Sequence, residues 1–136
     1  MTGESSTTTE IISDEDDVIR RLYSGWIKDN GAVSSLAFLD RNNDEPSVNL
    51  ERLADATAIL RQFAEPKLMG FARLNVGNIR RASRNNVEHR PLCDDYSHCV
   101  IVTTDNTQGK KSRARELAEI SRVIWQTILP ATSNPV

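Results

Sequence analysis

The stretch C-V-I-V at residues 99–102 decides how this chain is read. Four consecutive apolar side chains, three of them β-branched, are too few for a buried helix and suit a strand covered on both faces. A polar segment, 104–109, follows. A helix then begins at about Lys110 and places Ala114, Leu117 and Ala118 on one face. Beyond it lie Trp125, Ile128 and Leu129, whose spacing fits either a longer helix or a closing strand.

Working back from residue 99, the segment 85–97 is irregular, with Pro91 and the adjacent pair Asp94 and Asp95. Residues 68–74 form a short apolar strand, and 75–83 a helical turn that carries Ile79 and points Arg80, Arg81 and Arg84 outward. Leu53, Ala56, Leu60 and Phe63 recur at three and four residues, so a helix is expected after Ser47 and Val48, stopped by Pro66. The turn signal Asp29-Asn30-Gly31 precedes a mostly apolar strand at 32–39 that contains Ser34 and Ser35. Ser13, followed by four acids, is the N-cap of a short helix bearing Val18, Ile19 and Leu22, which fails near Ser24 and Gly25. Residues 1–12 are too polar to repay the entropy of ordering and read as a tail.

Strands and helices interleave without the Gly-rich crossover of a dinucleotide-binding fold. The expected class is therefore α+β, with a few-stranded mixed sheet packed against three to four helices. At 136 residues, with 38% hydrophobic and 26% charged positions, the chain supports one small domain. We place it at 13–130, with a frayed end at 131–136. No apolar run approaches the roughly 20 residues that cross a bilayer, and a basic-then-apolar leader pattern is missing, so a cytoplasmic location is expected. Two cysteines, Cys93 and Cys99, do not make a disulfide scaffold.

Charge divides along the chain: residues 1–65 sum to −7 and residues 66–136 to +5. Such a division either creates a dipole that steers an anionic partner or is neutralised across the fold. The densest positive group is Arg73, Arg80, Arg81, Arg84 and Arg90. Guanidinium forks suit phosphates and carboxylates, so these five are the candidate partner- or anion-binding residues. Stacking aromatics are missing beside them and the pI is about 5.7, which favours docking of an acidic protein segment over a dedicated nucleic-acid surface, with a nucleotide as a further option.

Two other groupings carry chemistry. His89, Cys93, His98 and Cys99 are potential metal donors, but they lack a C-x-x-C pair, and neighbours on a strand point to opposite faces. No metal and no cofactor is expected. Ser34 and Ser35 with His98 supply a hydroxyl nucleophile and a base, although no Gly-x-Ser-x-Gly elbow surrounds either serine. Asp94 and Asp95 could orient that ring or simply sit in a solvated turn.

The segments S-S-L-A-F (34–38), S-V (47–48), G-F-A-R-L (70–74) and P-L-C-D-D-Y-S-H-C-V-I (91–101) together resemble a group of small bacterial proteins with the pattern Ser-Ser-x-Ala-Phe, Ser-Val, then Pro-Ala-His-Ala. The resemblance spans about residues 22–125 and matches Ser34, Ser35, Phe38, Ser47 and His98. It departs at Ser24, where the group has Arg, and at Tyr96-Ser97, where it has Pro-Ala. It brings no activity with it. The expectation is a small bacterial accessory protein that binds a macromolecular partner through its arginines, a toxin-neutralising role in a conflict system being one special case. The alternative is a nucleotide- or NAD-handling domain with Ser34, Ser35 and His98 in a pocket, faintly similar in layout to ADP-ribosyltransferases.

Overall fold

A computed structural model describes residues 10–23, 25–39, 45–54, 68–82, 85–93, 95–103 and 110–126. Among the described residues six strands form one sheet: β1 (Asp17–Tyr23), β2 (Ser47–Leu50), β3 (Leu68–Asn75), β4 (Asn85–His89), β5 (His98–Thr103) and β6 (Arg122–Gln126). Their order is β4-β5-β2-β1-β3-β6, and every neighbouring pair is antiparallel. The α-helices among the described residues are α1 (Val76–Arg81) and α2 (Lys110–Ile120). This corrects the expected fold class: the sheet is antiparallel rather than mixed, and two helices, one of them only 6 residues long, replace the three to four expected.

The physical reason begins at β1. Val18, Ile19 and Leu22 fit one helical face, but they also fit a strand buried on both sides. The strand wins because β2 and β3 supply backbone partners along both of its edges, with Val18 opposite both Leu50 and Leu74. Val18 and Leu22 then enter the main core, whereas Ile19 packs with Phe71 on the opposite face. In place of the helix expected after Ser13, Asp17–Tyr23 is a strand, and Ser13 holds a tight turn before it, its N–H donating to Asp16 Oδ2 at 2.9 Å.

Three further expectations change. The strand expected at 32–39 is a 3-10 turn, Ser35–Phe38, because the Ser34 hydroxyl accepts from the Leu36 N–H at 3.1 Å and starts the turn. Ser47 begins β2 rather than a helix, with another 3-10 turn, Glu51–Leu53, directly after it; the remaining helix positions Ala56, Leu60 and Phe63 lie outside the described residues. The segment 85–97 contains β4, which places Asn85, Val87 and His89 inward. The strands expected at 68–74 and 99–102, the helical turn after residue 75 and the helix from Lys110 are all present. Trp125 lies on β6, so the closing strand was the right alternative there.

The core lies on one face of the sheet. Val18, Leu22, Val48, Leu50, Ala72, Leu74, Cys99 and Ile101 meet Phe38 from the 3-10 turn, Val76 and Ile79 from α1, and Ala114 and Leu117 from α2. Among the described residues no helix is long and apolar enough to cross a membrane.

Candidate functional site

Three of the five arginines singled out by charge, Arg73, Arg80 and Arg90, are engaged by carboxylates. Arg73 makes a two-pronged bond to Glu51, Nε to Oε1 and Nη2 to Oε2, both at 2.7 Å. Arg90 donates to Glu45 Oε1 at 2.6 Å and to Glu88 Oε1 at 2.7 Å; these acids hold its guanidinium charged even more firmly than usual. Arg80 donates Nη1 to Asp14 Oδ1 at 2.6 Å, Nε to Asn86 at 2.8 Å and Nη2 to the Ile12 carbonyl at 2.8 Å. Arg81 is exposed and bonds to Asn78. Arg84 lies outside the described residues. Glu51, Glu45 and Asp14 all come from the acidic first half, so much of the sequence-level charge division is neutralised across the fold.

Asp14 belongs to a segment the sequence shows only as the junction of tail and first element. Residues 10–16 lie as a strap along the surface and are held mainly by polar contacts. The Glu10 carboxylate accepts from Tyr96 OH at 2.7 Å and Arg52 Nη1 at 3.1 Å, while the Glu10 N–H donates to His89 Nδ1 at 2.9 Å. Arg52 also donates Nη2 to the Ile11 carbonyl at 3.0 Å and Nε to Asp16 Oδ1 at 2.9 Å. The Gly77 N–H, at the start of α1, donates to the Asp14 carbonyl at 3.1 Å. Only Ile12 packs on the core; Ile11 is 89% exposed.

Electrostatics follow from this geometry. The Tyr96 hydroxyl and then the Arg52 guanidinium hold the Glu10 carboxyl below its usual range. For Asp16, partial burial works in the opposite direction but is outweighed by the Ser13 N–H and Arg52, so its carboxyl is also held low. The neighbouring Glu10 carboxylate raises the Tyr96 phenol. His89 is buried: its Nδ1 accepts from Glu10, so Nε2 carries the proton and donates to the Tyr96 carbonyl at 2.6 Å. Sequence reasoning missed Arg52, Tyr96 and Glu10 as a group, because they are 42 to 86 residues apart and no local pattern links them.

The serine and histidine candidates are arranged differently from the expectation. His98 Nδ1 lies 2.8 Å from the Arg90 carbonyl, which can only accept, and Nε2 lies 3.2 Å from the Ser47 hydroxyl. Neither Ser34 nor Ser35 hydrogen-bonds to His98; Ser34 caps the 3-10 turn, and Ser35 lines a cleft beside α2. Asp95 bonds to Asn49 and Ser97, and Asp94 lies outside the described residues. Cys99 is buried and Cys93 exposed, both as free thiols. Among the described residues no group of three or more His, Cys, Asp or Glu side chains is placed to hold a metal ion.

No protein-family model, curated protein or solved structure matches this chain.

Proposed function

We propose that this chain is a small binding protein whose cationic and aromatic surface takes an extended acidic segment of another protein. The observation that carries the reading is the strap: the chain's own Glu10-Ile-Ile-Ser-Asp14 occupies a cradle of Arg52, Arg80, Tyr96 and His89. Guanidinium forks take its carboxylates and carbonyls, and an imidazole takes its first N–H. A partner segment with acids at the same separation meets the same donors. Recognition thus moves from the full sequence-level cluster to Arg80 and the newly found Arg52, with exposed Arg81 alongside, while Arg73 and Arg90 brace the scaffold. Ion pairs this exposed are individually weak and salt-screened, so the strap is displaceable rather than permanent.

The test is fluorescence anisotropy with a labelled Glu-Ile-Ile-Ser-Asp-Glu-Asp peptide. Loosening the strap with Glu10→Ala and Asp14→Ala should strengthen peptide binding by about tenfold or more, and adding Arg52→Ala and Arg80→Ala should abolish it. Equal binding by the unmodified and the strap-loosened protein overturns the reading.

A second reading, an enzyme-like domain, draws support from one geometry, the Ser47 hydroxyl on His98 Nε2. The carbonyl at Nδ1 holds the tautomer that a base needs, so Ser47 takes the nucleophile's place that Ser34 and Ser35 were expected to fill. Labelling of Ser47 by a fluorophosphonate, lost in His98→Gln, would support it; no labelling of the folded protein sinks it.

A further inference from the structure

A cleft of about 430 Å³ lies between the turn at 28–35 and α2, lined by Lys28, Ala32, Val33, Ser35, Arg115, Ala118, Glu119 and Ser121. The Asp29-Asn30-Gly31 turn shapes one wall. Asn30 Oδ1 accepts from the Ala32 N–H at 2.9 Å, Lys28 N–H donates to the Ala32 carbonyl at 2.7 Å, and Gly31 adopts φ 87, which a side chain would resist. The other wall is the last two turns of α2 and the residue after it, where Arg115, Ala118 and Glu119 fall at helical spacing on one side.

The electrostatics here contrast with the arginines already described. Among the described residues neither Lys28 nor Arg115 makes an ion pair, although both line the same space. Ser35 adds a hydroxyl. Ser121 Oγ donates to the Ala118 carbonyl at 2.7 Å, which leaves its lone pairs available to accept. Glu119 contributes the single carboxylate, and Ala32, Val33 and Ala118 the apolar surface. Two cations suit one doubly charged phosphate. One carboxylate repels a second anionic group but accepts hydrogen bonds from neutral hydroxyls. The volume falls in the range of small-molecule sites, roughly 300–1,000 Å³.

From this arrangement we infer that the cleft binds a small phosphorylated sugar, with the phosphate between Lys28 and Arg115 and a sugar hydroxyl donating to Glu119. This site is independent of the strap cradle, because it shares none of the residues that hold the strap.

The test is an amide NMR titration of the full chain with ribose 5-phosphate, inorganic phosphate and ribose. Ribose 5-phosphate should shift Ala32, Val33, Ser35 and Ala118 saturably and bind about tenfold tighter than inorganic phosphate, with ribose alone weakest. Lys28→Ala with Arg115→Ala should cost about tenfold or more in affinity, whereas Lys111→Ala, an exposed lysine on the same helix that does not line the cleft, should change nothing. Glu119→Gln should narrow the preference for ribose 5-phosphate over phosphate. The exposed positions of Lys28, Arg115 and Glu119 make these variants compatible with folding. No saturation by about 10 mM, equal affinities for phosphate and ribose 5-phosphate, or equal losses in the Lys111 and the Lys28/Arg115 variants overturns the inference.

Discussion

The guanidinium of Arg20 grips the carbonyl oxygen of Ala37 twice, from Nε at 3.0 Å and from Nη2 at 2.7 Å. Its remaining terminal nitrogen donates to the Ser47 carbonyl at 2.7 Å, and the group lies 5.3 Å from the Trp26 ring centroid and 5.7 Å from that of Phe38. One side chain thereby joins β1, the 3-10 turn and the start of β2. An ammonium cannot reproduce the planar fork, so Arg20→Lys should destabilise the fold by about 1–3 kcal/mol, seen as a lower urea midpoint with an unchanged slope. A midpoint equal to that of the unmodified chain would refute this role.

Acid should release the strap before it unfolds the sheet. Both Glu10 and Asp16 have carboxyl groups held below their ordinary values of 4.5 and 3.8. The sign is that of a carboxylate stabilised when folded: the contribution is full above those ordinary values and is lost as pH falls through the lowered ones. The Glu10 amide resonance should therefore hold its position as pH falls to the ordinary carboxylate values of 4.5 and 3.8 and move to a disordered one only below them, and Arg52→Ala should produce that position already at neutral pH.

Gly77 tests the strap from the other side. A Cβ there would lie 3.1 Å from both the Asp14 carbonyl oxygen and Asn75 Oδ1. Gly77→Ala should push the strap outward and speed hydrogen exchange at the position-77 amide, while leaving exchange within β5 unchanged.

The two thiols should differ sharply in reactivity. Burial pushes the Cys99 thiol up to about 12, and the residue has no exposed surface, whereas Cys93 is exposed. Iodoacetamide on the folded protein should give one adduct, at Cys93, and a second only after denaturation; mass spectrometry reads both.

Leu117 on α2 is fully buried against the sheet-side core. Leu117→Ala should cost about 2–5 kcal/mol, a large share of the stability of a domain this size, by thermal or urea unfolding.

What could be read in advance was whatever is decided locally. The run at 99–102, the turn at Asp29-Gly31 and the apolar spacing of Ala114, Leu117 and Ala118 each carry their own signal, and each element is present. β1 was obscured because Val18, Ile19 and Leu22 satisfy both periodicities, and only partners far along the chain discriminate between them. β4 was obscured because its inward positions include Asn85 and His89, polar residues whose burial depends on the Ala82 carbonyl and on Glu10. The strap cradle is the extreme case, since Glu10, Arg52 and Tyr96 become neighbours only once the sheet has formed. His98 was singled out for its chemistry, yet its hydroxyl partner came from β2, the strand opposite, rather than from Ser34 or Ser35.

The strand order carries a consequence for synthesis. Among the described strands β1 leaves the ribosome first but lies in the interior of the sheet, and its β3 partners emerge roughly fifty residues later. Until then the edge of β1 that β3 covers, and the Ile19 side chain that packs on Phe71, face water. A nascent chain paused before β3 emerges should therefore be the form that chaperones capture, and release should coincide with the emergence of residue 75 from the ribosome.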